Sequence, residues 1–235
     1  MQWGLVVIWG LWLWKGRTEA VRVCMTLGLL LSMGLQLALL AADGLFSLET
    51  ALPLHLCGLF GVLSIPLLWY ESQPLYEASA FLAGPAAFLT LFFPAVIDCS
   101  HPRLMAFAFS QLHVLVALTP VFLARTGKPL PLHPRRTLIL GSGYLLFICA
   151  FNRAFQTNYL FLQAAPANTP LFWLLSHGQT VYMFSLLMLC MTAFSWLSGL
   201  FVRIEERRST LSPGNRSSCS PYSRYTAPCT SRGRG

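Results

Sequence analysis

The side chains best suited to chemistry are one cysteine and three histidines within apolar stretches: His55, Cys57, His113 and His177. A thiolate is a strong nucleophile, and a histidine can accept the thiol proton near neutral pH. Pro53 suits the first position of a helix, which would put Cys57 near a positive helix end that favours a thiolate. Because apolar surroundings oppose ionisation, an active Cys57 needs a neighbouring base. His55, two residues away, points to another face of a regular helix, so His113 is the better candidate.

A second polar group lies at the end of the sixth apolar run. A guanidinium binds phosphate or carboxylate through two hydrogen bonds, so Arg153 suits a lipid headgroup. Gln156 and Asn158 are suited to donate to a developing oxyanion. Each has a simpler interpretation: Arg153 can extend to the membrane interface, and a histidine such as His177 can link two helices. The predicted substrate-binding residues are His55, Asn152, Arg153, Gln156, Asn158 and His177.

Metal and disulfide chemistry are poorly supported. His55, Cys57, His113 and His177 are acceptable zinc ligands by type, but no local ligand spacing joins them. Seven cysteines are scattered at positions 24, 57, 99, 149, 190, 219 and 229, and none forms a C-x-x-C pair. A disulfide framework or zinc ribbon is therefore not expected. We predict neither a metal site nor a cofactor.

The elements that position these residues must be membrane helices. The chain is 55% hydrophobic and 10% charged, against about 25% charged for a soluble domain. Its apolar residues form runs near 20 residues long, enough to cross a hydrocarbon layer of about 30 Å as helices. Strand-like alternation is absent. The net charge of +8 comes from residues between the runs and in the tail, which favours membrane orientation over nucleic-acid binding.

The predicted fold is all-α, a polytopic membrane helix bundle of about seven transmembrane helices with its N-terminus outside. Prolines inside the runs should kink them: Pro66 in the third, Pro85 and Pro94 in the fourth, and Pro120 in the fifth. The first run is short for a full crossing. The predicted spans are 2–14, 21–42, 52–70, 75–97, 104–123, 137–159 and 171–202.

The orientation follows from the loop charges, because cytoplasmic loops are enriched in Lys and Arg. The loop between the second and third runs has Asp43 and Glu49 but no basic residue, and the loop after the fourth run has only Arg103. The loop with Glu71 and Glu77 is uninformative. Basic residues instead follow the first, fifth and seventh runs: Lys15, Arg17, Arg22, Arg125, Lys128, Arg135, Arg136, Arg203, Arg207 and Arg208.

This topology puts the polar residues of four helices at similar depth in the outer half and leaves the inner half nearly all apolar. Polar side chains facing lipid are costly, so these groups should meet in one pocket. We expect Cys57 and His113 within hydrogen-bond or one-water reach, roughly 3–6 Å. His177 and Arg153 should line the same cavity.

Two regions divide the chain: residues 1–208 form the transmembrane bundle, and residues 209–235 form a disordered, basic cytoplasmic tail. The tail is rich in Ser, Pro, Gly and Arg and has no apolar period. Its arginines can approach anionic lipid, although a solvated tail without a role is the simpler interpretation.

Four stretches resemble the YwaF-type bacterial integral membrane protein family. They are LPLHLCGLFGVLS (52–64), GPAAFLTLFFPA (84–95), FSQLHVLVALTPVFLA (109–124) and NYLFLQAAP (158–166), which a last helix follows. The resemblance covers roughly residues 50–200 and implies a seven-helix bundle. The eukaryotic relatives of that family resemble the transmembrane-protein-164 family, implicated in acyl transfer to ether phospholipids through an intramembrane Cys and His. Carried over, the resemblance implies that Cys57 takes the acyl group and His113 is the base.

The leading functional prediction is an intramembrane lipid acyltransferase or lipid hydrolase with a Cys nucleophile and a His base. The alternative is a non-enzymatic membrane binding protein or a small-solute transporter, since kinked helices and polar groups in the membrane also suit transport. A transporter needs polar lining on both sides of its site, and the apolar inner half argues against it. The predicted partners are membrane lipids, with an acyl-lipid as candidate substrate and no nucleic acid. The predicted location is the cell membrane, as a multi-pass protein; the oligomeric state is left open.

Overall fold

A computed structural model describes residues 2–70, 72–126, 134–165 and 170–185, together with 188, 192–196, 199 and 203. All regular structure within these residues is helical. Glu71, Lys128, Cys190, most of the predicted seventh span beyond residue 185 and the predicted tail 209–235 lie outside them.

Nine α-helices are described, with a π-helical segment at Ser79–Ala83 and a 3-10 turn at Tyr159–Phe161. Five of them carry the predicted site or its frame, α2, α4, α6, α7 and α8. The helices are α1 (Gln2–Lys15), α2 (Thr18–Ala42), α3 (Leu48–Ala51), α4 (Leu56–Trp69), α5 (Gln73–Ala78), α6 (Gly84–Thr90), α7 (Pro102–Arg125), α8 (Pro134–Phe155) and α9 (Pro170–Leu175).

Three helices in the described part are long and apolar enough to cross a membrane: α2, α7 and residues Arg135–Phe155 of α8. The shorter α4 is also apolar. Large apolar side chains on the outer surface remain exposed, such as Leu31 at 68% and Leu146 at 71%, as expected for groups that face lipid. The all-helical prediction is confirmed, and the chain is a multi-pass membrane protein. The count of seven spans stays a prediction.

Two predicted spans are interrupted. The fourth is divided by the π-helical segment before Gly84 and Pro85, and its last helix ends at Thr90, well before the predicted residue 97. In the seventh, α9 ends at Leu175 and residues 179–185 are helical again beyond Gly178, whose φ of 106° interrupts the regular helix. By contrast, α4 and α7 stay helical through their internal prolines.

The core lies where α2, α4 and α7 approach one another. Met25 and Leu29 of α2 and Leu115 of α7 are fully buried there. The absence of a side chain at Gly28 allows α2 and α7 to approach closely, because a Cβ atom there would lie 2.7 Å from the Leu115 Cδ1 atom. Gly61 does the same for α4, since its Cβ would lie 2.9 Å from Leu112 Cδ1. The close contact fixes α4 beside the middle of α7.

Contacts between loops divide the loops into two groups, one at each end of the helices. At one end, Arg125 after the fifth run donates to the Gly16 carbonyl between α1 and α2, at 3.4 Å. Those are the predicted basic loops. At the other end, Asp43 accepts hydrogen bonds from the Ser100 backbone (2.7 Å) and hydroxyl (2.5 Å). These bonds hold the pKa of Asp43 below its usual value of 3.8.

Further contacts agree with this sorting. Near the Asp43 end, a Glu49 carboxylate oxygen accepts from the Asn158 backbone N–H at 3.2 Å, and Gln2 donates to the Leu91 carbonyl at 2.6 Å. The loops predicted for the outer side therefore contact one another, and so do those predicted for the inner side.

Buried polar residues toward the Arg125 end correct the expectation of an apolar inner half. Ser64, Glu77, Ser79 and Thr137 are all 0% exposed. Glu77, which was assigned to the loop before the fourth run, lies within α5, where Gln73 donates to its carboxylate at 3.3 Å.

Candidate functional site

Cys57 occupies the second position of α4, in the first turn. The preceding residue outside the helix, His55, is extended (φ −71°, ψ 143°), and α4 begins at Leu56. No side chain caps this end, and the described residues show no hydrogen bond from the backbone N–H groups of Leu56, Cys57 or Gly58. The buried thiol therefore lies beside three free donors at the positive end of a helix.

His113 lies halfway along the 24-residue α7 and is 6% exposed. Its Nδ1 atom is 2.7 Å from the Phe109 carbonyl oxygen one turn earlier. Because a carbonyl oxygen only accepts, Nδ1 carries a proton and donates it. In the neutral ring, Nε2 is then the nitrogen with a free lone pair. The Phe109 ring also packs against the imidazole, with centroids 4.1 Å apart.

The two predicted catalytic side chains belong to one buried region without being hydrogen-bonded to each other. Within the described part of the chain, the Cys57 thiol lies beside the Thr90 side chain, at the end of α6. The Thr90 hydroxyl donates to the Ala86 carbonyl at 2.9 Å. His113 lies on α7, against which α4 packs. The expected one-water reach between Cys57 and His113 stays a prediction.

Two tyrosines complete this cluster, and neither was predicted. The Tyr144 hydroxyl on α8 donates to the carbonyl of Leu54, three residues before Cys57, at 2.5 Å. Tyr159 is fully buried, and its ring centroid lies 5.1 Å from that of His55. Sequence reasoning missed them because a tyrosine within or beside an apolar run has an ordinary packing explanation.

Asn152 organises the turn that follows α8. Its side-chain oxygen accepts from the Thr157 hydroxyl and the Tyr159 backbone N–H, both at 2.9 Å. Its amide donates to the Tyr159 carbonyl at 2.8 Å. These bonds use both lone pairs of the amide oxygen, and Asn152 is 1% exposed. It thereby holds Tyr159 against His55.

The other two amides also bond locally. The Asn158 side-chain oxygen accepts from the backbone N–H groups of Gln163 and Ala164, and its amide donates to the Ala164 carbonyl. Gln156 has a φ of 54°, and its side chain donates to the Arg153 carbonyl at 3.0 Å. Gln156 therefore ends α8, while Asn158 closes the loop beyond the 3-10 turn.

Arg153 lies at an open cavity of about 240 Å³ on another side of α8. The Arg153 side chain is exposed, and it makes no ion pair among the described residues. Cys57 and His113 do not line this cavity. The lining residues are Cys149, Asn152, Arg153, Leu162, Gln163, Gln179 and Met183.

His177 is exposed, and its described contacts lie within its own turn of the chain. Its Nδ1 atom is 3.0 Å from the Trp173 carbonyl oxygen, and its ring packs on the Trp173 ring with centroids 4.5 Å apart. Within the described residues, no three His, Cys, Asp or Glu side chains are grouped so as to hold a metal ion. Because α4 packs against α7, Cys57 lies on a neighbour of the helix that carries His113, and no contact between His177 and either residue is described.

Comparison with known proteins agrees with this architecture. No curated protein and no solved structure gives a significant match to the chain. The sequence does match the TMEM164 family over residues 2–197, which include all of the candidate site residues. The resemblance to the bacterial YwaF-type proteins stays a prediction. A match over most of the chain, together with the described membrane helices, shows that this protein is a member of the TMEM164 family.

Proposed function

We propose that this protein is an intramembrane enzyme that transfers or hydrolyses the acyl group of a membrane lipid, with Cys57 as nucleophile and His113 as general base. The observation that carries the proposal is the bond from His113 Nδ1 to the Phe109 carbonyl at 2.7 Å. It leaves Nε2 as the basic nitrogen and fixes the ring. A base oriented by a third group near a thiol is the arrangement that nucleophilic catalysis uses.

The Cys57 thiol must turn toward His113 before it can give up its proton. In the resting arrangement it lies beside the Thr90 side chain. A rotation about the Cα–Cβ bond would redirect the sulfur, and His113 Nε2 would then take its proton. The free N–H groups at the start of α4 support the thiolate and the oxyanion that follows attack on an ester carbonyl.

Arg153 is proposed to bind the anionic headgroup of the lipid. The cavity beside it combines this cation and two glutamines with the apolar side chains of Leu162 and Met183. Such a lining suits a molecule with a phosphate and a hydrocarbon chain. Arg153 lies nine residues after Tyr144 on α8, a separation of about 13 Å along the helix axis. The lipid headgroup and the extended Arg153 side chain together would span this distance.

The proposed setting is a seven-span bundle in the cell membrane, with the N-terminus and the Cys57 end outside. The two groups of loop contacts support the alternation that seven crossings require. Arg125 lies at the proposed cytoplasmic end and Asp43 at the proposed outer end, in agreement with the enrichment of basic residues in cytoplasmic loops. A lipid of the outer leaflet would then approach Cys57 from the side.

The test is acyl transfer from an alkyne-tagged diacyl phospholipid in vesicles containing the purified protein. We expect tagged acyl groups to appear on an added lysophospholipid or as free fatty acid, and Cys57→Ala to abolish both products. The matched control is Cys24→Ala, since Cys24 is a free, half-buried cysteine on α2. Equal product formation by wild type and Cys57→Ala would remove Cys57 as the nucleophile.

A second candidate function, non-enzymatic binding or transport of a small solute, is favoured by one observation. The fully buried Ser64, Glu77, Ser79 and Thr137 provide polar groups toward the Arg125 end, where a transport path would need them. Uptake of a solute into proteoliposomes that Glu77→Gln abolishes, without any lipid product, would favour transport over catalysis.

A further inference from the structure

The Tyr144 phenol contacts the chain just before the start of α4. It lies on α8, a helix distant from Cys57 in sequence, and its hydroxyl donates to the Leu54 carbonyl at 2.5 Å. Leu54 is three residues before Cys57, so this bond places the phenol near the start of α4 and its Cys57. The side chain is half-buried rather than enclosed. A hydroxyl donor therefore lies beside the proposed nucleophile on a face that a substrate can approach.

The Leu54 carbonyl is an acceptor that the Tyr144 hydroxyl can exchange for another one. Leu54 precedes α4, and the first helical bond of α4 uses the His55 carbonyl instead, through the Leu59 N–H at 2.8 Å. Among the described residues, the Tyr144 hydroxyl is the donor to the Leu54 oxygen. When another acceptor with more negative charge forms nearby, the O–H group can turn to it, because a charged acceptor makes the stronger bond.

We infer that Tyr144 is a catalytic hydroxyl donor, which binds the oxyanion of the tetrahedral intermediate formed at Cys57. The inference rests on the proposed acyl-transfer function. It assigns the ligand of this hydroxyl as an ester carbonyl oxygen of a lipid. The free N–H groups of Leu56, Cys57 and Gly58 would share the same oxyanion.

Cys57, His113 and Tyr144 account for every proton and bond in the reaction with the lipid ester. His113 accepts the thiol proton, the Cys57 sulfur forms a bond to the ester carbon, and the carbonyl electron pair moves to oxygen. Tyr144 donates a hydrogen bond to that oxygen and loses no proton. When the pair returns, the ester C–O bond breaks, and His113 gives its proton to the leaving alkoxide. A lysolipid hydroxyl or water then attacks the thioester by the same steps, with His113 as base.

Other tyrosines serve as references for a purely structural role. The Tyr182 hydroxyl donates to the Phe161 carbonyl at 2.7 Å, also from one chain segment to another, and Tyr182 is fully buried. No contact to Cys57 is described for it. Tyr182→Phe removes the same kind of bond as Tyr144→Phe at a hydroxyl that does not bond to the segment around Cys57, so it is the matched control.

The experiment compares wild type, Tyr144→Phe and Tyr182→Phe in vesicles, with two readouts at Cys57 measured on the same peptide. One is the rate of acylation by a tagged phospholipid, and the other is the rate of alkylation by iodoacetamide. Acylation passes through an oxyanion, whereas alkylation displaces iodide from a saturated carbon and forms none. Loss of an oxyanion donor should therefore slow only the first reaction.

We expect Tyr144→Phe to lower the maximal acylation rate about 100-fold, with little change in the half-saturating lipid concentration and in alkylation. Tyr182→Phe should acylate within about twofold of wild type, since it leaves the oxyanion site intact. Acylation of Tyr144→Phe at the wild-type rate, or an equal loss of acylation and alkylation, would overturn the role of Tyr144 and leave the proposed function standing. Absence of Cys57-dependent acylation in the wild type would overturn both.

Discussion

One hydrogen bond decides how the imidazole of His113 can act. With Nδ1 donating to the Phe109 carbonyl, the basic Nε2 faces away from the α7 backbone. The ring is buried, and packing against Phe109 limits its rotation. A histidine that only linked helices would use its second nitrogen on another helix, and the described residues provide no such bond.

Replacing His113 should therefore remove a base rather than a structural link. We expect His113→Gln to lower the acylation rate of Cys57 by about 10²–10⁴-fold near neutral pH. The remaining rate should rise with pH, because hydroxide would then deprotonate the thiol. His177→Gln is the control, since His177 is exposed and bonds only within its own turn. A His113→Gln protein with wild-type acylation would show that another group is the base.

Residue types identify part of this site but not all of it. Cys57 and His113 are noticeable because reactive side chains inside apolar runs are costly or unusual. Thr90 and Tyr144 carry no such signal, and only the fold places the end of α6 and this part of α8 near the start of α4. Asn152 and Asn158 were predicted to bind substrate, and that stays a prediction. The structure shows that their side chains organise the chain after α8.

At the scale of elements, the approach of α6 to α7 depends on Gly84. A Cβ atom there would lie 3.1 Å from the Ser79 carbonyl oxygen and 3.2 Å from the Pro120 Cγ atom. Both are parts of the structure that cannot rotate away. Gly143 on α8 has no atom within 4 Å of its Cβ position, so it can accept a methyl group.

We expect Gly84→Ala to lower the free energy of unfolding by about 1–3 kcal/mol, because overpacking strains both helices. Gly143→Ala should be neutral or stabilising by up to about 1 kcal/mol, the helix propensity difference between Gly and Ala. Thermal unfolding in detergent micelles measures both. Equal stability of the two variants would mean that the α6–α7 contact is loose.

The connection between the α2–α3 loop and the segment before α7 should depend on pH. The depressed pKa of Asp43 means that its contribution to stability is complete above 3.8 and is lost as pH falls through the lower folded value. We expect Asp43→Asn to lower the melting temperature near neutral pH, and the difference from wild type to vanish in strong acid. Asp98→Asn, which removes a carboxylate without a described hydrogen bond, should show no such difference. A deficit of Asp43→Asn that persisted in strong acid would exclude the charge as its cause.

Apolar runs predict helices well where the chain can continue undisturbed. The run at 21–42 corresponds to α2 and the run at 104–123 to α7, each within a few residues. The fourth run fails this rule, because Pro85 cannot donate a helical hydrogen bond and the chain adopts a π-helical segment just before it. The break places Thr90 at a helix end beside Cys57, a consequence that hydropathy cannot predict.

For the whole molecule, the proposed seven crossings make the two groups of loops accessible from opposite sides. Asp98 precedes α7 and Thr126 follows it. In a background without exposed cysteines, a membrane-impermeant maleimide should label Asp98→Cys in intact cells and Thr126→Cys only after permeabilisation. The reverse pattern would invert the bundle, and labelling of both from outside would exclude a crossing by α7.

The most direct test of the whole account is the mass of the peptide that carries Cys57. Wild-type protein would be incubated in vesicles with a phospholipid of one defined acyl chain, quenched in acid and digested. We predict an acyl adduct on Cys57 that neutral hydroxylamine removes, as expected for a thioester, and none on Cys24, Cys99 or Cys149. Continued acyl transfer with an unmodified Cys57 peptide, or an adduct on the other cysteines alone, would contradict it.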